Sequence, residues 1–328
     1  MNNCVDVFIP CYKYAHFLED CVKSVLTQSD VNVRVLILDD ASPDNTPEVG
    51  AALAAADSRV SYRRSKVNKG HIATYNEGIE WASATFYMLL SADDYLLPGA
   101  LGRAVELMTS DPRLGFVFGN ALVLHGDGKL EPIAPLGTVG APSQRNFSGR
   151  SFVQTSGAIN IVPTPTAIIR TSLQKQVGGY RTELPHSGDM EMWLRLASYS
   201  DVGFINCDQA VYRRHQSNMS LDYLAGSALP DLRQRLRALE IFFECGNSDV
   251  SQDRDIRNFL RRHLAQDALR HATLAFNEAN PDGAVAIKQF ALSVSPDIRR
   301  SWNWAKLAIK QAIGARTWRA INSVRSHY

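Results

Sequence analysis

Apolar residues in the first 125 positions form short runs that alternate with segments of helical spacing. The runs predict buried strands, and the alternation of Val60 and Tyr62 with polar residues predicts an edge strand. The predicted strands cover residues 5–9, 33–38, 59–64, 86–90 and 114–124, and the predicted helices cover 15–28, 72–82 and 98–108. This order indicates an α/β fold with a mixed, mostly parallel, Rossmann-like sheet flanked by helices.

The pattern changes twice further along the chain. Residues 125–165 show little periodicity and many glycines and prolines, so long loops are expected there. A strand over 166–170 and a helix after Asp189 follow. Beyond residue 225 the spacing is helical, over 228–244, 252–277, 282–293 and 298–325, with an interruption at Gly314. We therefore expect an α/β domain over 1–225 and a helical C-terminal extension over 226–328.

Composition excludes several classes of protein. The 328 residues are 45% hydrophobic, enough for a sizeable core, and 35 basic against 33 acidic residues argue against a nucleic-acid-binding surface. Five cysteines without a C-x-x-C pair make zinc and disulfide frameworks poor candidates and favour a reducing cytoplasm. The N-terminus lacks the basic-then-apolar pattern of a secretory signal, so none is expected.

Two acidic clusters directly follow predicted strands, at the sheet edge where ligands of such folds bind. Asp40 could accept a hydrogen bond from the imide N–H of uracil or thymine, or it could start a turn and cap the next helix. Asp93 and Asp94 follow Ser91, and paired carboxylates suit a divalent cation that bridges to phosphates. They could equally be solvated turn residues.

Other polar residues have two interpretations each. Asn68 and Asn76 could reach a nucleotide, although Asn68 could instead cap a helix. Asp189 could be a helix N-cap or a general base that accepts a proton from a hydroxyl. The pair Glu191 and Arg195, four residues apart, is expected on the solvated surface. The segment 213–215, Arg-Arg-His, could bind a diphosphate or form a basic loop tip.

In this order along the chain, these motifs resemble those of glycosyltransferase family 2, whose members are enzymes of the GT-A fold that use nucleotide-sugar donors. The matching stretches include VDVFIPCYKYAHFLEDCVKSVLTQ, VLILDDASPDNT, NKGHIATYNEGIEWA, FYMLLSADDYLLPGAL, VGGYRTELPHSGDMEMWLRLA and YRRHQSNMS, within residues 4–220. The resemblance implies that Asp40 meets the nucleobase, that Pro10 and Tyr12 line its pocket, and that Asp189 is the catalytic base.

The same resemblance implies a D-x-D-type signature at Asp93 and Asp94, with Asp93 on the donor. Asp94 would bind Mg²⁺ or Mn²⁺, and His215, near the diphosphate, would be a further metal ligand. One departure is that many members have Asp where this chain has Ser91. Residues 1–125 would be the nucleotide-sugar half and 126–225 the acceptor half. The implied reaction is an inverting, metal-dependent transfer from a UDP- or dTDP-linked sugar to an acceptor hydroxyl, in surface polysaccharide or glycolipid assembly.

Three other functions compete with this one. A dehydrogenase would carry G-x-G-x-x-G after the first strand, where this chain has Pro10-Cys-Tyr-Lys. A sugar-1-phosphate nucleotidyltransferase would carry an early glycine-rich loop. The third alternative is a non-catalytic member that binds a nucleotide-sugar or a partner protein; retention of both Asp94 and Asp189 argues against it.

The terminal segment 297–328 is a candidate contact with the inner face of the membrane. From Arg299 to Tyr328 it has seven basic residues and no acidic one, with three tryptophans. Basic and aromatic helices can lie among anionic headgroups. Packing against the catalytic domain or against a second copy of the chain, as a homo-oligomer, explains the same residues and is the preferred interpretation.

Overall fold

A computed structural model of the chain describes residues 3–137, 144–216, 218, 223, 227–314 and 317–318. It divides into two compact units, Met1–Val153 with Asn160–Gln216 and Gln154–Ile159 with Ser217–Tyr328. The predicted split of the first 225 residues into a nucleotide-sugar half and an acceptor half stays a prediction.

The first unit is built on one mixed sheet with the order β3-β2-β1-β4-β9-β6-β10-β5. Strands β1, β2, β3, β4, β6 and β10 run in the same direction, and the short strand β9 runs against them between β4 and β6. The strands are β1 Cys4–Cys11, β2 Asn32–Asp39, β3 Val60–Arg64, β4 Phe86–Leu89, β5 Tyr95–Leu96, β6 Leu114–His125, β7 Leu130–Ile133, β8 Gln144–Phe147, β9 Ile168–Arg170 and β10 Asp201–Arg214. The mostly parallel sheet is therefore confirmed, with β3 at the edge as expected.

Helices cover the sheet because their apolar stripes face it. In α1, Leu18, Cys21, Val22 and Val25 are completely buried in the core beside β1. In α3, Gly78 allows close approach, since a Cβ there would lie 2.3 Å from the ring of Phe8. The helices of this part of the chain are α1 Ala15–Leu26, α2 Thr46–Ala56, α3 His71–Trp81, α4 Ala100–Ser110, α5 Gly149–Ser156, α6 Thr171–Val177 and α7 Gly188–Ala197.

Three details differ from the sequence-based expectations. The segment 125–165 contains β7, β8 and α5, so the expectation of uninterrupted loops was wrong. Helix α4 begins at Ala100 and not at Pro98, because Gly99 takes the left-handed conformation with φ +76°. Helix α2 was not predicted because its sequence, TPEVGAALAAA, has small residues and little apolar contrast between its faces.

The described part of the second unit contains the remaining helices. They are α8 Leu229–Cys245, α9 Asp249–Gln252, α10 Arg254–Asn277, α11 Pro281–Val294 and α12 Trp302–Ile313. Within it, Arg235 donates to Asp267 Oδ2 at 2.7 Å and to the carbonyl of Ala158 at 2.8 Å. Helix α12 ends before Gly314, which has φ +85°, and the predicted continuation to residue 325 lies largely outside the described residues. Over the described ranges, no helix is both long and apolar enough to cross a membrane.

Candidate active site

The parallel strands β1, β2, β4 and β10 bring the predicted site loops to one edge of the sheet. Cys11, the last residue of β1, pairs with Asp39, the last residue of β2. Just beyond this pair, the Asp40 N–H donates to the carbonyl of Cys11 at 2.9 Å. On the other side of β1, the Ala92 N–H donates to the carbonyl of Pro10 at 3.3 Å. The loops after β2 and β4 therefore flank the end of β1, as the sequence predicted.

Asp40 is nearly inaccessible and anchors the beginning of α3. Its Oδ1 accepts the N–H of Lys69 at 2.8 Å, and its Oδ2 accepts the N–H of Gly70 at 2.9 Å. At the beginning of the next helix, α2, it is Asp44 that accepts hydrogen bonds from the N–H and the hydroxyl of Thr46. Asp40 therefore does not cap α2. Because each carboxylate oxygen has two lone pairs, it can still accept a further N–H from a base.

Three other predicted nucleotide contacts lie near this edge. Pro10, the residue before the end of β1, is half-buried, and Tyr12 just beyond the strand is 39% exposed, with Lys13 Nζ 4.9 Å from its ring centroid. Asn68 is exposed, and its Oδ1 accepts the N–H of Gly70 at 3.0 Å. Their contact with a nucleotide stays a prediction.

Asp93 and Asp94 form a buried acidic pair at the end of β4. The carboxylate of Asp94 accepts the backbone N–H of Arg213 at 3.0 Å, and Asp93 Oδ2 lies 3.1 Å from His215 Nε2. Burial raises the pKa of Asp93 above its usual range, although His215 opposes this. Burial, and then the charge of Asp93, raise the pKa of Asp94 further. The guanidinium of Arg213 opposes both shifts, but the burial of the two adjacent carboxylates outweighs it.

This electrostatic imbalance fits a divalent cation. In the described part of the chain, no group of three or more His, Cys, Asp or Glu side chains is arranged to hold a metal ion. Two buried carboxylates that repel each other nevertheless match an ion such as Mg²⁺, which keeps several waters and completes its shell with substrate phosphates. The donor atoms fit the predicted metal, and Asp94 and His215 stay its predicted ligands.

Asp189 lies inside the first turn of α7 and does not cap it. The helix begins at Gly188 after the N-cap residue Ser187. Asp189 Oδ2 accepts the hydroxyl hydrogen of Thr164 at 2.8 Å, and the phenol of Tyr180 also donates to this carboxylate. Burial raises the pKa of Asp189, while these two donors and the nearby His71 and His186 oppose the rise. A carboxylate held by side chains in this way is suited to accept a proton.

Asn76 contacts the backbone of Tyr180. Its Oδ1 accepts the Tyr180 N–H at 2.7 Å, and its Nδ2 donates to the Tyr180 carbonyl at 3.1 Å. Both ends of the amide are thus engaged within the protein. Its predicted nucleotide contact stays untested, but these bonds indicate that Asn76 positions the loop after α6.

Glu191 and Arg195 are not a solvated surface pair, so that expectation was wrong. The two residues are 1% and 6% exposed, and Arg195 donates to Glu191 Oε2 at 2.8 Å. Arg195 also donates to the carbonyls of Val177 at 2.6 Å and Gly179 at 2.8 Å. The guanidinium lies in the interior because the buried carbonyl groups of this loop need hydrogen-bond donors.

Sequence reasoning missed two residues of the site, Thr164 and Tyr180. Thr164 belongs to a short 3₁₀ turn, Thr164–Thr166, in a segment expected to be loop. Tyr180 packs against Tyr75 with ring centroids 5.3 Å apart, and the Tyr75 hydroxyl hydrogen-bonds to Ser91. Tyr180 and Tyr75 therefore connect Asp189 to the loop that carries the acidic pair. No local pattern could reveal contacts between such distant positions.

Comparisons with known proteins identify the family and the fold. The family model described as "Glycosyl transferase family 2" matches residues 6–175. Chondroitin synthase of Pasteurella multocida is 33% identical over 67% of this chain, which spans 22% of that protein. The Escherichia coli enzyme WfgD, named as a UDP-Glc:alpha-D-GlcNAc-diphosphoundecaprenol beta-1,3-glucosyltransferase, is 25% identical over 66% of this chain and 79% of its own length.

A solved structure shows the same fold. The mannosyltransferase PcManGT of Pyrobaculum calidifontis, in complex with GDP-Man and Mn²⁺, superimposes with a TM-score of 0.56 at 17% identity. The match covers 97% of this chain and 84% of that chain. The GT-A fold expected from the sequence is therefore confirmed.

Proposed function

The chain belongs to glycosyl transferase family 2, and from this premise we propose that it is an inverting, metal-dependent glycosyltransferase acting on a nucleoside-diphosphate sugar. The proposal rests on the hydrogen bonding of Asp189. Its carboxylate accepts a hydrogen bond from the side chain of Thr164 and does not cap the backbone of a helix end. It belongs to the same unit as Asp40, Asp93 and Asp94, which lie at the sheet edge where nucleotides bind in α/β folds.

In the proposed reaction, an acceptor hydroxyl attacks the anomeric carbon of the donor sugar in a single displacement. Asp189 accepts the hydroxyl proton as the new glycosidic bond forms, and the bond from the anomeric carbon to the diphosphate breaks. General-base assistance of this kind typically contributes about 100- to 10,000-fold. A Mg²⁺ or Mn²⁺ ion held through Asp94, with His215 near the diphosphate, would supply charge neutralisation of the leaving group.

Uridine or thymidine diphosphate is the favoured nucleotide. Asp40 can accept the imide N–H that uracil and thymine share, and the relative WfgD is named for UDP-Glc. Guanine also has a ring N–H, and PcManGT is described with GDP-Man, so the preference rests on Asp40 together with the sequence relatives. Pro10, Tyr12 and Asn68 are the further donor-binding residues of this proposal.

The proposed acceptor is a carbohydrate or glycolipid of a surface polysaccharide pathway, with the enzyme in the cytoplasm. The name of WfgD includes a diphosphoundecaprenol-linked sugar, which supports an acceptor on a lipid carrier. An enzyme acting on such an acceptor would work beside the inner face of the membrane.

Helix α12 offers a surface for that membrane contact. Trp302, Ile309 and Ile313 are 75%, 52% and 38% exposed, and Lys306 is exposed between them. At helical spacing, positions 302, 306, 309 and 313 lie on one stripe. Lys310 does not belong to this stripe, because it is buried and donates to Asn277 at 3.1 Å. A second copy of the chain on this stripe, as a homo-oligomer, is the alternative occupant.

The direct test is a panel of UDP-, dTDP- and GDP-sugars, with Mn²⁺, Mg²⁺ or chelator, in which release of the free nucleoside diphosphate is measured. We expect metal-dependent release from a UDP- or dTDP-sugar. Binding of a nucleotide-sugar without any turnover, even with lipid-linked acceptors present, would instead favour the non-catalytic alternative.

A further inference from the structure

The carboxylate of Asp189 is held from two directions by hydroxyl groups of separate segments. Thr164, in a 3₁₀ turn, donates to Oδ2 at 2.8 Å, and Tyr180, in the loop between α6 and α7, donates from its phenol. Tyr180 is only 6% exposed. Two fixed donors restrict both the rotation and the position of the carboxylate plane, which a general base requires.

The backbone at Tyr180 is itself fixed by hydrogen bonds from two other helices. Asn76 pairs with both its N–H and its carbonyl, and Arg195 donates to the carbonyl of Gly179 next to it. The glycine is needed, because a Cβ at Gly179 would lie 2.4 Å from Asn76 Oδ1. The position of the Tyr180 phenol is therefore determined by contacts that do not touch Asp189.

We propose that Thr164 and Tyr180 are positioning residues for the base Asp189, and that Asn76 acts through the backbone of Tyr180. The inference rests on the proposed function and names residues that it does not use. Hydrogen bonds to a charged carboxylate favour the charged form, so the two hydroxyls keep Asp189 ready to accept a proton.

The same tyrosine links the base to the donor side of the site. Tyr180 packs on Tyr75, and Tyr75 hydrogen-bonds to Ser91, two positions before Asp93. Here a neutral hydroxyl at that position completes a chain of aromatic and hydroxyl contacts to Asp189. A rigid path of this kind would keep the base at a set distance from the donor loop.

Four titratable side chains face Asp189 and shape its titration. They are His71 on α3, His186 before α7, Tyr180, and Tyr75 on α3. Loss of a hydroxyl donor should raise the pKa of Asp189, whereas a histidine substitution changes the surrounding charge. The test therefore uses Tyr180→Phe and Thr164→Val, which leave both histidines in place.

Carboxyl ¹³C NMR of the full chain labelled at aspartate measures this pKa directly, with the resonance assigned by its absence in Asp189→Asn. We expect Tyr180→Phe and Thr164→Val each to raise the titration midpoint by about one pH unit, since a hydrogen bond to a charge contributes roughly that much. Thr164→Ser keeps the donor and should restore the original midpoint. Asn76→Ala should shift the midpoint in the same direction as Tyr180→Phe.

The matched controls remove hydroxyl groups that do not contact Asp189. The hydroxyls of Tyr87 and Thr171 are buried without a hydrogen-bond partner among the described residues. Tyr87→Phe and Thr171→Val should leave the midpoint unchanged. An unchanged midpoint in both Tyr180→Phe and Thr164→Val, or an equal shift in the controls, overturns the proposal.

A second arm separates this inference from the proposed function. The pH profile of UDP-glucose hydrolysis with Mn²⁺ should show its acid limb displaced upward in Tyr180→Phe and Thr164→Val. A purely structural defect would lower the rate without moving that limb. If the NMR midpoint moves but no nucleotide-sugar of the panel is hydrolysed, the two hydroxyl contacts to Asp189 stand and the proposed function fails.

Discussion

Asp40 Oδ2 accepts the backbone N–H of Gly70 at 2.9 Å, across 30 positions of the chain. With the parallel bond from Lys69 to Oδ1, it fixes the turn that opens α3 to the end of β2. The residue expected to meet the nucleobase therefore also organises the backbone at the beginning of α3. These two roles can be separated by experiment.

Asp40→Ala should lose both roles, whereas Asp40→Asn should keep part of the turn. Leaving the Lys69 N–H without an acceptor should cost about 1–3 kcal/mol at most, whereas the Gly70 N–H keeps Asn68 Oδ1 as an acceptor. We expect a lower urea midpoint and weaker UDP binding by calorimetry at fixed Mn²⁺. Asp57→Ala is the matched control, because Asp57 also accepts a backbone N–H, from Arg59, away from this edge. Unchanged UDP affinity in Asp40→Ala would contradict the nucleobase contact.

Asp94→Asn should weaken metal-dependent binding of UDP. The carboxylate is the predicted metal ligand, and its amide is a poorer ligand for a hard cation. Calorimetry with and without Mn²⁺ should show that most of the metal-dependent gain in UDP affinity is lost. Asp127→Asn, at an exposed hairpin position, serves as the control. The metal assignment fails if Asp94→Asn binds UDP with Mn²⁺ as tightly as the unaltered protein.

Asp189→Asn should reduce sugar transfer by about 100-fold or more, because the amide cannot accept the acceptor proton. UDP affinity and melting temperature should change little, which distinguishes this variant from Asp94→Asn. Asn caps helices about as well as Asp, so a capping role would leave the variant active. An active Asp189→Asn enzyme would move the base elsewhere, with His186 the first neighbour to test.

Arg195→Met should destabilise the protein by about 3–5 kcal/mol, because it leaves Glu191 buried without its cationic partner. Urea unfolding measures the loss, and the double variant with Glu191→Gln should recover much of it. The deficit should also shrink in acid. Without Arg195 the folded-state pKa of Glu191 rises further above its unfolded value, so stability falls as pH rises through that window. A pH-independent deficit would argue against an uncompensated carboxylate.

Trp302→Ala combined with Ile309→Ser should reduce binding to vesicles that contain phosphatidylglycerol. The apolar stripe inserts shallowly while Lys306 meets anionic headgroups, so binding should weaken with added salt. Co-sedimentation with anionic and neutral vesicles measures this. Leu274→Ala, which removes an exposed leucine of α10, is the control. Equal recovery with both vesicle types would contradict the membrane contact. A dimer by light scattering that the double variant abolishes would assign the surface to contact with another copy of the chain.

The sequence by itself determined the sheet and the edge where the site lies. The apolar runs of β1, β2, β4 and β6 appear where the period predicted them, because completely buried parallel strands need continuous apolar side chains. Acidic residues placed directly after β2 and β4 had to meet at the same edge, since parallel strands end together. Helix α2 escaped prediction because alanines offer little contrast between faces.

Only the tertiary structure decided what the individual polar residues do. Whether Asp189 caps a helix depends on Thr164, 25 positions earlier, and Asn76 meets Tyr180 across 104 positions. The pair Glu191 and Arg195 has the spacing of a surface pair, yet the carbonyls of Val177 and Gly179 draw it into the interior. The spacing of residues along a chain shows only which side chains are neighbours on the same helix or strand. The partner of a buried polar group is set by which distant segment supplies the donor or acceptor that burial demands.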